Sequence, residues 1–235
     1  MLELLDSNGW AEEDLLQHNA KLTHVEMFLM SFASVTCLRA FSNITTLKIL
    51  GHGLADLRGI AFCEHLQHLW VVEGALTSVA GLEAMPRLTH LYLYANRLTS
   101  LQGMTHLTAL RVLWLADNAL TSLDGAGALA ELRELHAAAN AVSAAATHLA
   151  PLARLQALNL SRTRVADLGE LARLAALPAL REVHFADPAW GAAPLSRAAH
   201  YRTLALCALP RLQVLDYVGV TADDVARAQD RKSVV

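Results

Sequence analysis

The sequence predicts an α/β solenoid, in which short parallel strands stack on an inner, concave sheet and short helices or 3-10 turns line the outer side. Three observations predict it. One pattern of leucines closed by an asparagine recurs at intervals of 22 positions. Within each recurrence two apolar residues flank a variable one, the period of a strand with one buried face. Hydrophobic residues make up 54% of the 235 and charged residues 17%, which supplies a long core and excludes disorder as the general state.

The reference copy is Leu88, Leu91, Leu93, Asn96 and Leu98, followed by Leu101 and Gly103. The next is Leu110, Leu113, Leu115, Asn118 and Leu120, with Leu123 and Gly125. Stepping back gives Leu66, Leu69, Val71, Gly74, Leu76, then Ile44, Leu47, Ile49, His52, Leu54, and a weak copy at Leu22, Val25, Met27, Met30. Stepping forward, Leu132, Leu135, Ala137, Asn140 and Val142 keep the interval. It then lengthens to 23 at Leu155, Leu158, Leu160, Thr163 and to 25 at Leu180, Val183, Phe185, Pro188. These eight copies over residues 22–193 match the leucine-rich repeat pattern in its short variety. That pattern implies a curved right-handed superhelix in which each repeat buries its leucines only against its neighbours. The asparagine amide is expected to satisfy backbone groups at the inner turn. Asn occupies that position in only three copies, so looser geometry is expected toward both ends.

An open solenoid exposes an apolar face and an unpaired strand edge, so both ends need covers. Residues 1–21, with Asp6 to His18 helical, are expected to form the first. Residues 194–221 are expected to form the second, with a helix from Pro194 to Cys207 and a last strand from Leu212 to Tyr217. Residues 1–221 thus read as one domain, and 222–235 as a charged, helical or frayed tail. The alanine-rich stretch from Ala126 to Ala150 is expected to replace a tight outer loop with a helix.

Outward strand positions are free to carry function. The residue between the paired apolar ones is, in order, Glu26, Lys48, Trp70, Tyr92, Trp114, His136, Asn159 and His184. Parallel strands lie about 4.8 Å apart, so Trp70, Tyr92 and Trp114 should stack as a ladder. One flanking column holds His24, Thr46, His68, His90, Val112 and Glu134; the other holds Phe28, Leu50, Val72, Tyr94, Ala116 and Ala138. The expected partner-binding residues are Lys48, His68, Trp70, His90, Tyr92, Tyr94, Trp114 and His136, with apolar flanks at Leu50 and Val72. Contiguous exposed aromatic area of this kind marks partner surfaces. The competing reading is a self-supporting cross-strand ladder that only stabilises the sheet.

Other chemistry finds little support. His68 and His90 share adjacent strands, but Glu73 and Glu134 lie off their column or too far along it, so no metal site is expected. No nucleophile elbow, phosphate loop, zinc-protease helix or dinucleotide fingerprint occurs, so neither catalysis nor a cofactor is expected. Asp167, Asp187, Asp216, Asp223 and Asp224 fall at turns, where Asp accepts backbone hydrogen bonds. A formal charge of -3 supplies no basic field for nucleic acid. Cys37, Cys63 and Cys207 are far apart and odd in number, which fits thiols in a reducing compartment. The first residues lack a basic start with an apolar run, and no stretch is apolar enough for a membrane span, so a cytoplasmic protein, monomeric in isolation, is expected.

Several stretches resemble a narrower family. Val25-Glu26-Met27-Phe28, Leu69-Trp70-Val71, Leu91-Tyr92-Leu93-Tyr94-Ala95-Asn96, Val112-Leu113-Trp114-Leu115 and the later Asp187-Pro188 occur in this order. They resemble the N-terminal repeat block of the leucine-rich repeat-containing protein nine family, associated with cilia and flagella. That resemblance implies a non-enzymatic scaffold in an axoneme, with axonemal or microtubule-associated protein partners. The repeat length and end motif are also similar to phosphatase regulatory subunits and to spliceosomal adaptors that bind a small RNA-binding protein. Phosphatase regulators present acids among the concave aromatics, whereas the central column here has none between Lys48 and Asn159. Spliceosomal adaptors would be favoured by a basic end, which is not evident.

Overall fold

A computed structural model describes residues 22–29, 35, 38, 41 and 43–231. The helix expected at Asp6 to His18, the repeat position at Met30 and Cys37 lie outside the described residues.

Eight strands stack in parallel in chain order: β1 (His24–Phe28), β2 (Thr46–Leu50), β3 (His68–Val72), β4 (His90–Tyr92), β5 (Val112–Trp114), β6 (Glu134–His136), β7 (Ala157–Asn159) and β8 (Glu182–His184). The register keeps equivalent repeat positions opposite one another, Leu47 on Leu69, Leu69 on Leu91 and Leu91 on Leu113, so no strand slips. A one-residue slip would turn the leucines outward, and burial of about 1.5–3 kcal/mol for each such side chain opposes it. All the leucines of this inward column are 0% exposed.

Past β3 to β7 the chain turns through a left-handed residue: Glu73, Ala95, Asp117, Ala139 and Arg162 all have φ between 50° and 56°. The next residue is the asparagine position. Asn96 Oδ1 accepts from the Leu76 amide at 3.1 Å, while its Nδ2 donates to the Val71 and Leu93 carbonyls at 2.7 and 3.0 Å. Asn118 and Asn140 repeat this set. Each amide therefore ties its own repeat to the preceding one, at a bend where no strand ladder reaches. In the longer repeat Thr163 takes the place of asparagine and donates only to the Leu160 carbonyl.

The outer side carries 3-10 turns at Ile60–Phe62, Leu82–Ala84, Met104–His106 and Ala126–Ala128. Each follows a glycine with positive φ, and at Gly81 (φ 108°) a Cβ would also strike the Leu57 carbonyl. The alanine-rich stretch departs from expectation. Residues 126–128 form the same turn as the earlier repeats, and only α1 (Ala146–Leu149) is helical. Repeat length governs this outcome, since the helices α1 and α2 (Gly169–Leu174) appear where the interval exceeds 22 residues. The buried Glu170 carboxylate of α2 accepts from the Ala145 and Ala146 amides at 2.9 and 2.8 Å, closing the start of α1.

The C-terminal cover is more elaborate than expected. After β8, the short strands β9 (Ala186–Asp187) and β10 (Gly191–Ala192) form a separate antiparallel pair. A 3-10 turn at Pro194–Arg197 precedes α3 (Tyr201–Ala208), so the predicted single helix is two elements. The extended backbone of Ala198 and the left-handed His200 (φ 57°) separate them. The last parallel strand is only β11 (Val214–Leu215), paired on β8, because Asp216 and Tyr217 adopt left-handed φ and fold β12 (Val218–Gly219) back antiparallel. The tail is not frayed over its described part. Helix α4 (Ala222–Arg231) starts at a capping box in which Thr221 Oγ1 accepts from the Asp224 amide and Asp224 Oδ2 accepts from the Thr221 amide. It packs on α3 through buried Ala228, whose carbonyl accepts from the Cys207 thiol. No helix among the described residues is long and apolar enough to cross a membrane.

Candidate functional site

The constant register carries the outward column straight across the sheet: Glu26, Lys48, Trp70, Tyr92, Trp114, His136, Asn159 and His184 are successive partners. Trp70 and Tyr92 stack at 4.5 Å between ring centroids with 5° between planes. Tyr92 meets Trp114 edge-on at 5.3 Å, and Trp114 stacks on His136 at 4.5 Å. All four are half-buried, so each ring shields its neighbours and keeps part of itself in solvent. The interface and cross-strand ladder readings are therefore physically compatible in one arrangement.

The other predicted residues join the same face. Lys48 Nζ forms an ion pair with Glu26 at 2.7 Å and lies 5.6 Å from the centre of Trp70. His68 and His90 are 4.6 Å apart, and His68 lies 6.2 Å from Trp70. Burial pushes the His90 imidazole below its ordinary range, with further repulsion from His68 and Arg111. Tyr94 approaches Trp114 at 6.5 Å, next to the small buried Ala116 in its own column. Among the described residues no group of three His, Cys, Asp or Glu could hold a metal ion.

Two expectations need correction. Val72 is 0% exposed and is no flank of the open face, although its register partner Leu50 remains half-buried. Glu134 does not stand apart from the aromatics. Its Oε1 accepts from Trp114 Nε1 at 2.8 Å and lies 3.1 Å from His136 Nε2. The His136 hydrogen bond, with help from Trp114, holds the Glu134 carboxyl below the usual range despite burial. An acid thus sits among the concave aromatics after all, reaching them from the adjacent column.

The end of the column is also closed. Tyr217, from the β11–β12 turn, stacks on His184 at 3.9 Å, donates to Asp187 Oδ2 at 2.5 Å and accepts from Asn159 Nδ2 at 3.2 Å. The Tyr217 amide donates to His184 Nδ1, which leaves Nε2 to donate to Glu182. Asn159 and His184 are accordingly buried, and the accessible face ends near His136. Of the five predicted turn aspartates, Asp167, Asp187, Asp216 and Asp224 accept backbone amides through their carboxylates.

Along one margin, the residue preceding each strand forms a further column that the sequence reading missed. Backbone amides link Arg111 to Arg133, Arg133 to Gln156, Gln156 to Arg181 and Arg181 to Gln213 in succession. The same 22-residue interval separates Arg111 from Arg133. This column borders a groove of about 570 Å³ that also includes His90, Glu134 and Glu182.

Comparison with solved structures shows the fold. The chain is similar to an internalin of Listeria monocytogenes, with a TM-score of 0.72 and 17% identity over 90% of this chain and 58% of that one. It is similar to internalin C2 of the same species, with a TM-score of 0.72 and 20% identity over 91% and 90%. A leucine-rich repeat protein of Leptospira interrogans gives 0.69 and 19% over 95% and 56%. The leucine-rich repeat solenoid read from the sequence is therefore the architecture of this chain. No family model matches. Among curated proteins, human Cilia- and flagella-associated protein 410 is 40% identical over 84 residues, which is 34% of this chain and 31% of the relative. The aligned part thus spans about a third of that relative's length.

Proposed function

We propose that the chain is a non-enzymatic scaffold that binds a partner protein on its aromatic concave face, within a ciliary or flagellar assembly. The observation that carries it is the half-exposed stack of Trp70, Tyr92 and Trp114, held in register by three adjacent strands. Large aromatics at the centre of a face dominate interface energetics, because they bury area with few rotatable bonds. Their mutual stacking preorganises them, which lowers the ordering cost of docking. The ciliary part of the reading is supported by the 40% identity to Cilia- and flagella-associated protein 410 over 84 residues and by the aromatic repeat words noted in the sequence. Glu134 among the aromatics supports a second reading, a phosphatase regulatory subunit, since that type presents acids there.

Proximity labelling in ciliated cells separates the two. The wild-type chain is expected to label axonemal or microtubule-associated proteins, and the Trp70→Ala/Trp114→Ala variant to lose them. Labelling dominated by a phosphatase catalytic subunit would establish the second reading. A protein set unaffected by the double variant would exclude the concave face as the contact.

A further inference from the structure

We propose that the partner segment is acidic as well as apolar: it lays its apolar residues on the aromatic stack and its carboxylates on the Arg111–Arg133–Arg181 margin. This rests on the concave-face reading and adds the chemistry of the occupant.

The backbone places these guanidiniums along a hydrogen-bonded ladder. The Arg133 amide donates to the Arg111 carbonyl at 2.8 Å, Gln156 to Arg133 at 2.7 Å, and Arg181 to Gln156 at 2.9 Å. With rungs about 4.8 Å apart, Arg111 and Arg181 lie roughly 14 Å from each other across the sheet. A helix repeats every 5.4 Å, so one running along the solenoid axis would bring about one side chain to each rung.

Among the described residues the arginines of this margin have no carboxylate partners. Arg111 and Arg133 are exposed, and among the described residues neither guanidinium has an ion pair. Arg181 donates to the Pro178 and Leu180 carbonyls and to no carboxylate. The acids in the same groove are already engaged, Glu134 by Trp114 and His136, and Glu182 by His184. Arg58 and Arg173, by contrast, are paired with Asp56 and Asp167. The margin therefore presents planar two-pronged donors without carboxylate partners, beside a half-exposed apolar stack. Guanidinium forks fit carboxylates bidentately, and such rim charges select partners and speed their encounter. A polyphosphate carries a charge at every unit and would meet Glu134 and Glu182 in the groove, whereas a peptide can set carboxylates at the arginines and apolar residues beside those acids, so the charge pattern favours an acidic and apolar peptide over nucleic acid.

The test is selection of a random 20-residue peptide library, displayed on phage, against the 235-residue chain at about 150 mM salt. Peptides that survive are then titrated onto the wild type, the Trp70→Ala/Trp114→Ala variant and the Arg111→Gln/Arg133→Gln variant. Melting curves of all three proteins establish that they are folded. The expected consensus combines aromatic or aliphatic residues with Asp or Glu, and its members bind the arginine variant at least tenfold more weakly. A consensus that depends on Trp70 and Trp114 but lacks acids, or is indifferent to the arginine variant, overturns the acidic-partner proposal and leaves the concave-face reading standing. No consensus that depends on the two tryptophans overturns both. A fluorescent oligouridylate of 20 nucleotides serves as the competing probe, and binding as tight as the selected peptides overturns the proposal in favour of nucleic acid.

Discussion

The imidazole of His52 fills the space where a Cβ on Gly74 would stand. Both residues occupy the asparagine position of adjacent repeats, and the large side chain of one is accommodated by the absence of a side chain on the other. Gly74→Ala is therefore expected to destabilise the chain by about 1–3 kcal/mol through overpacking. Gly74 has no left-handed φ to protect, so His52→Ala should recover part of the loss in a double-mutant cycle. Urea unfolding of the two single variants and the double variant checks this. Purely additive effects would show that the two side-chain positions do not compete for space.

Asn140 is buried and makes four hydrogen bonds with backbone groups of two repeats. Asn140→Ala leaves the Leu120 amide and the Leu115 carbonyl without these partners. The expected cost is about 2–4 kcal/mol, read as a lower urea midpoint at unchanged slope.

Burial pushes the His52 imidazole down, as it does His90. A histidine with a lowered folded pKa resists protonation only while folded. The unfolded chain then binds more protons, and stability falls as pH drops below about 6.5, levelling only below the folded value. Unfolding free energy measured between pH 7.5 and 5.5 should therefore decrease toward acid. The slope should be shallower in His52→Asn, which places at this position the residue found at 96, 118 and 140. An unchanged slope would remove His52 from the account.

Tyr217 joins Asp187, Asn159 and His184 at the covered end of the column. Burial raises the Asp187 carboxyl, but bonds from Tyr217 and the Ala189 and Trp190 amides outweigh it and hold the group below its usual range. Tyr217→Phe deletes the first of these. Loss of about 1–3 kcal/mol is expected, together with an upward move of the Asp187 titration. The stability that Asp187 supplies is present above its unfolded value of 3.8 and lost below it, so this acid-labile share should shrink in the variant. Removing residues from His200 onward should do far more, uncovering Val183, the register partner of Leu215, and Phe185, which packs on Tyr201, and producing aggregation in place of a cooperative melt.

The aromatic column was legible because three successive intervals are equal, and a solenoid converts equal spacing into equal height on the sheet. The same logic would have found Arg111 and Arg133, had the position before each strand been aligned. Glu134 was misjudged for a different reason. Spacing assigns a residue to a column but not the direction of a long side chain, and this carboxylate crosses to the indole of the neighbouring rung. Tyr217 lay beyond periodicity altogether, since it follows a non-repeating insertion and depends on two consecutive left-handed residues. Val72 failed as a flank because strict alternation ends with the strand, where the turn at Glu73 begins.

The most direct measurement is the affinity of the Trp70→Ala/Trp114→Ala variant, by calorimetric titration, for the protein that proximity labelling identifies. Each indole anchor is expected to contribute about 2 kcal/mol or more, so binding should weaken at least a hundredfold. Loss of the stacking partners at Tyr92 and His136 should lower the melting temperature modestly without abolishing cooperative unfolding. Undiminished affinity in a cooperatively folded double variant would contradict the proposal that this face holds the partner.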